Sequence, residues 1–126
     1  MTEHRTKPLD RQLLLDELAC VSSKLTQAGI REAQVSFGWD CNLPIDEMWQ
    51  DHSVKVDEIL EFVCQAERTG VVEIGRGDIF VESQDFRLTL CHEGDAHVAG
   101  AADLVRETVE RWEQLDYEPY EVKQQP

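Results

Sequence analysis

The chain is short of positive charge: 12 Lys and Arg stand against 26 Asp and Glu over 126 residues, a net charge of −14. That deficit argues against nucleic-acid binding, because so acidic a surface repels a phosphate backbone. It opposes adhesion to anionic membranes on the same ground. Paired cysteines are missing too. Cys20, Cys41, Cys64 and Cys91 stand far apart with no Cys-x-x-Cys among them, and free thiols in a reducing cytoplasm are the simplest reading. No apolar run approaches membrane-spanning length. Met1 to Pro8 is polar and no apolar leader core follows it, so a soluble cytoplasmic protein is expected. There is no Gly-x-x-x-x-Gly-Lys phosphate loop. Gly75-Arg76-Gly77-Asp78 is expected to join strand to strand rather than strand to helix. It contains the tripeptide that integrins bind, but in a cytoplasmic chain it reads as a hairpin turn in which Gly supplies positive φ. Repeats, low-complexity tracts and linkers are absent.

What is present is enough for one domain with a real core: 41% hydrophobic and 30% charged residues. Residues 1–9 are polar and expected to be disordered. Asp10 caps a helix running to about Ala28, with Leu14, Leu18, Val21, Leu25 and Ala28 on one face and Gly29 as its stop. The period then changes to two. Ala33, Val35, Phe37 and Trp39 alternate with polar residues, which predicts a half-buried strand with Trp39 in the core. A helix is expected over about 53–68, with a first turn or short helix at 45–50 leading into it, ended by Gly70. Three short strands follow, at 71–74, 79–82 and 86–92, as an antiparallel meander. Residues 93–100 read as a loop and 101–115 as a helix with Leu104, Val105, Thr108, Val109 and Trp112 inward. Residues 117–126 form a partly ordered acidic tail. The expected fold is α+β, one domain over 10–116, in the order α-β-α-β-β-β-α, with an approximately four-stranded mixed or antiparallel sheet packed with three helices on one or both faces.

Three groups of residues invite a chemical reading. Cys91-His92-Glu93-Gly94-Asp95-Ala96-His97 brings a thiol, two imidazoles and two carboxylates into seven residues at a strand end. Cys91, His92 and His97 are the candidate ligands for zinc or a similar metal. Against them, Cys91 and His92 as strand neighbours point to opposite faces, and the five-residue step from His92 to His97 matches no standard zinc spacing. Cys91 with either imidazole would also make a thiol and base, though nothing marks an oxyanion hole or a third orienting group. Second, Asp40, Asp46, Glu47 and Asp51 surround Trp39, Met48 and Trp49, an aromatic group with a carboxylate rim. Third, the last helix and tail carry Asp103, Glu107, Glu110, Glu113, Asp116, Glu118 and Glu121 against Arg106, Arg111 and Lys123.

No catalytic signature emerges, and a non-enzymatic role is the expectation. The acidic surface favours solubility and fast capture of a basic protein partner. Asp46, Trp49, Asp51, Glu110 and Glu113 are the residues expected to meet that partner, with no nucleic acid, no membrane and no resident cofactor. In size and charge the chain resembles the small acidic immunity or inhibitor proteins of bacteria that cover a basic toxin. That resemblance implies a protein-binding role and transfers no residue. The alternatives are a small metal-binding or thiol-dependent enzyme built on Cys91–His97, and a subunit of a homo-oligomer.

Overall fold

The computed structural model describes residues 2–123. Helix α1 spans Arg11–Gln27. The Asp10 side chain accepts the Leu13 N–H at 2.9 Å and satisfies one of the free donors of its first turn. Leu14, Leu18, Val21 and Leu25 recur at three- and four-residue steps and are all buried, and Gly29 takes φ +80° after the helix. Helix α2 (Ile59–Arg68) follows a single 3-10 turn at Val56–Glu58, and helix α3 covers Asp103–Gln114.

Seven strands form one antiparallel sheet: β1 (Thr2–Arg5), β2 (Glu32–Phe37), β3 (His52–Lys55), β4 (Ile79–Ser83), β5 (Phe86–Leu90), β6 (Ala96–Ala99) and β7 (Tyr120–Lys123). Their spatial order is β3-β2-β4-β5-β6-β1-β7. The α+β class and the three helices agree with the sequence reading. The four-stranded sheet does not: β1, β3, β6 and β7 are additional strands, and the segment 71–74 is not one. The slots beside β4 are filled by β2 and β5, so Val71–Ile74 has no free ladder to join. Val72 and Ile74 instead plug into the core, and the Ile74 N–H is satisfied by Glu67 Oε2 at 3.0 Å. The glycine-rich turn after them therefore leads from a buried loop into β4 rather than between paired strands.

The polar start expected to be disordered is strand β1, because its backbone groups are paired on both sides, by β6 and β7. Within the expected tail, Tyr117 is buried and Tyr120–Lys123 forms β7. Met1 and residues 124–126 of those two segments lie outside the described residues. The expected helix start at 53 is strand β3, an edge strand on β2.

Register divides the sheet into two faces. Ala33, Val35, Ile79, Val81, Leu88, Leu90, Ala96 and Val98 share one core with Leu14 and Leu18 of α1, Ile59 and Val63 of α2, and Val105 and Trp112 of α3. All three helices therefore pack on that face. At about 25 cal/mol per Å² of apolar area, this burial is the principal force holding the sheet and helices together. The core contains one fully buried carboxylate, Glu17 of α1, which accepts hydrogen bonds from Trp112 Nε1 and Arg111 Nη1 of α3. Among the described residues the other face bears no helix. Its central row reads Ser36, Phe80, Thr89, His97, Arg5, Tyr120 from β2 to β7, each residue directly opposite the next. No helix among the described residues is long and apolar enough to cross a membrane.

Candidate functional site on the uncovered sheet face

Two groups of side chains occupy this face, and they meet at Asp78 and Phe80. The first comes from the loop between β2 and β3. β2 ends at Phe37, and the alternation that placed Trp39 in the core stops there. Gly38 lies so close to Phe80 and Trp49 that a Cβ on it would come within 2.7 Å of either side chain, and Asp40 turns the chain with φ +63°. Trp39 is thus 59% exposed, a correction to the sequence reading, and it meets Trp49 edge to face at 5.3 Å between ring centroids. Trp49 is itself 44% exposed and held at φ +61°. Its N–H bonds the Phe37 carbonyl at 2.7 Å, tying the loop back to the strand end. A bulky residue in the left-handed region costs on the order of 1–3 kcal/mol and persists only where its surroundings enforce it.

This loop is also where apolar surface is left in water. Five large apolar side chains stand exposed among the described residues, and Trp39, Ile45 and Trp49 are three of them. From Glu32 to Val54 the chain has no Lys or Arg. Asp40, Asp46, Glu47 and Asp51 are exposed, and none of them makes an ion pair within the described residues. Of the residues expected to meet a partner, Asp46, Trp49 and Asp51 are brought together here. Glu110 and Glu113 are exposed on α3, which covers the opposite face. Glu110 is engaged with Arg106 at 3.8 Å.

The second group is built around the β5–β6 turn. β5 ends at Leu90, so Cys91 and His92 lie beyond the strand and escape its alternation: Cys91 Sγ is 3.7 Å from His92 Nδ1. Opposite orientation, expected from the sequence, is thereby corrected. The Asp78 carboxylate accepts the His92 N–H at 2.7 Å and lies 2.7 Å from His92 Nδ1. This contact raises the His92 pKa, with Asp40 and Glu93 adding to it against the effect of desolvation. His97 sits between Asp95 (Nε2 to Oδ2, 2.8 Å) and Glu3 (Nδ1 to Oε1, 3.4 Å), and Arg5 bonds Glu3 in turn at 2.8 Å. Arg87 lies over the Phe80 ring at 4.7 Å. These side chains line a depression of about 300 Å³ whose walls include Arg5, Asp78, Phe80, Arg87, Cys91 and His97.

Burial pushes the Cys91 thiol up to about 12, with the Asp95 and Asp78 charges acting in the same direction. At neutral pH it is a protonated thiol, the wrong state for a nucleophile. A thiol–imidazole–carboxylate relay needs the thiol on one ring nitrogen and the carboxylate on the other. Here Nδ1 of His92 faces both Asp78 and Cys91. The arrangement offers metal-type donors rather than an activated sulfur. Glu3 and Asp78 were not singled out from the sequence, since Glu3 belongs to the polar start and Asp78 to the glycine-rich turn. Only strand register brings them to Cys91.

No family model, curated protein or solved structure matches the chain.

Proposed function

We propose that this is a non-enzymatic acidic domain that docks on a basic protein partner, with the Trp39–Trp49 pair as its anchor and Asp40, Asp46, Glu47 and Asp51 as its rim. The observation that carries the reading is Trp49: a large aromatic side chain nearly half exposed, in a strained left-handed conformation, among carboxylates with no internal counter-ion. Aromatic anchors ringed by charge are the usual core of a protein interface. The sign of the rim selects a Lys- and Arg-rich partner, and an immunity- or inhibitor-type role is the most concrete form of the proposal. Glu110 and Glu113, on the other side of the molecule, are left out of the docking surface.

The test is capture of partners on the immobilised chain, then rate measurements on each recovered protein at several salt concentrations. The reading requires a partner of net positive charge whose association slows as salt rises. The double variant W39A/W49A should raise its dissociation rate by about thirtyfold or more, as for loss of a hot-spot anchor. A partner of neutral or acidic surface, or one held equally well by W39A/W49A, overturns the proposal.

A further inference from the structure

We propose that Cys91, Asp95 and His97 bind one divalent transition-metal ion of the zinc type. A thiol sulfur, a carboxylate oxygen and an imidazole nitrogen from these residues all lie within 4.8 Å of one another. The turn that assembles them is tightly specified. The Cys91 N–H bonds the Asp95 carbonyl at 2.8 Å, the Gly94 N–H bonds the Cys91 carbonyl at 3.0 Å, and Gly94 takes φ +90°. Residues 91 and 95 are thereby held face to face. His97 follows two residues later in β6, opposite Thr89 on the uncovered face.

A second observation points independently to a cation. Asp95 is buried, with its side chain 10% exposed; Oδ2 is taken by His97, but Oδ1 is inaccessible and has no hydrogen-bond partner. A buried carboxylate oxygen left unpaired is costly and rare. A metal ion on this carboxylate would satisfy it, the present Oδ2 contact with His97 Nε2 being exchanged for a shared cation. One divalent cation with one thiolate and one carboxylate sums to zero charge, which suits a site this enclosed. On binding, the metal replaces the thiol proton of Cys91, which leaves to solvent. Sulfur, imidazole and carboxylate together favour zinc or cobalt over magnesium or calcium.

The outer shell fits the same assignment. With Nε2 of His97 on the metal, Nδ1 faces Glu3, whose carboxylate is fixed by Arg5. A carboxylate behind a ligating imidazole orients the ring and sets its tautomer. Glu3 is thus a positioning residue supplied by the first strand. Asp78, Cys91 and His92 form a second set of donors within 4.8 Å, but Asp78 already faces the His92 N–H and Nδ1 and has no orphaned buried oxygen, so His92 is not counted as a ligand.

The experiment is a titration of the reduced full-length chain with Co²⁺, followed by displacement with Zn²⁺. One equivalent should saturate a near-ultraviolet sulfur-to-cobalt absorption, which carboxylates elsewhere on the acidic surface do not produce. C91S should abolish that absorption and C64S should keep it. H97Q and D95N should weaken Zn²⁺ binding at least as much as E3Q, for which about ten- to hundredfold is expected of an outer-shell partner. H92A and D78N should keep the sulfur-to-cobalt absorption and change affinity far less than H97Q and D95N. Circular dichroism of each metal-free variant establishes that it folds, and E3Q, outside the ligand set, keeps the test open if H97Q does not. No sulfur-to-cobalt absorption, an absorption that survives C91S, affinity untouched in E3Q and D95N, or loss in H92A and D78N with retention in H97Q each overturns the proposal.

Discussion

The two faces of the sheet are made by the same strands and do different work. On the helix-covered face, alternate residues of β2, β4, β5 and β6 are largely apolar, and the fully buried carboxylate Glu17 has both oxygens engaged. On the uncovered face the intervening residues include Arg5, Arg87, Thr89, His97 and Glu3, and the loop beside them leaves two Trp side chains in water. Period-two geometry thus lets one set of alternate residues in a strand build the core while the other set stays free for the proposed binding chemistry. Substitutions one residue apart in sequence should therefore separate cleanly into stability effects and binding effects.

The largest expected effects lie on the covered face. Glu17→Ala leaves the Trp112 indole N–H and the Arg111 guanidinium without their buried acceptor, and a loss of about 3–5 kcal/mol is expected in a denaturant titration. Leu88→Ala opens a cavity under the helices and should cost about 2–5 kcal/mol. Its neighbour Arg87, on the other face with its side chain about half exposed, should cost under about 1 kcal/mol as Arg87→Ala. Equal losses at residues 87 and 88 would break the division of the sheet.

The covered face was legible in the sequence and the uncovered one only in part, for physical reasons. Leu14, Leu18, Val35, Phe37, Ile59, Val63, Leu88, Leu90, Val105 and Trp112 follow from hydrophobic periodicity alone, and all are buried. Periodicity reports contact with a core, so it is silent about strands such as β1 and β7, whose residues are polar and whose stabilisation is backbone pairing with chain far away. It also overruns element ends: it carried Trp39 past the close of β2 and Cys91 past the close of β5. The polar cluster was half visible, because Cys91, Asp95 and His97 are close in sequence. Glu3 and Asp78 reach it only through the register of β1 on β6 and the start of β4, which no local pattern encodes.

Next in size is a substitution at the strained anchor. Trp49→Gly removes an exposed side chain and releases the left-handed backbone, so stability should stay level or rise by about 1 kcal/mol. Binding of the basic partner should weaken through a faster off-rate. Stability and function would then move in opposite directions at one residue, the reverse of Leu88. A loss of stability above about 2 kcal/mol would instead place Trp49 among the structural residues.

A smaller effect belongs to the rim of the covered side. Glu67 of α2 accepts hydrogen bonds from Arg11 of α1 and from the Ile74 N–H. The Arg11 contact holds its pKa below the usual 4.5, with the Ile74 N–H contributing and desolvation opposing. A depressed carboxyl contributes stability in full above its unfolded value and loses it as pH falls through the folded one. Stability should thus decline below about pH 4.5. Glu67→Gln should flatten part of that decline and cost about 1 kcal/mol at pH 7, chiefly through the weakened acceptor for Ile74. An unchanged acid slope in the variant would show that other carboxyls set it.

The smallest changes in stability should come from the exposed acids, and they separate the two acidic surfaces. Asp46→Asn in the loop and Glu110→Gln on α3 each remove one solvated charge, and both should alter stability by less than about 0.5 kcal/mol. Their effects on association should differ. Asp46 stands among carboxylates with no internal partner beside the Trp pair, so its charge is available to steer an approaching cation. Glu110 is engaged with Arg106 and faces the other way. With a Debye length of about 8 Å at 0.15 M salt, a charge across the molecule contributes little to steering at the docking face. Asp46→Asn should slow association with the basic partner and reduce its salt dependence while leaving dissociation nearly constant. Glu110→Gln should change neither rate. Equal slowing by both variants would mean that net charge as a whole, rather than the loop, guides the encounter, and the docking surface would then have to be sought on α3 as well.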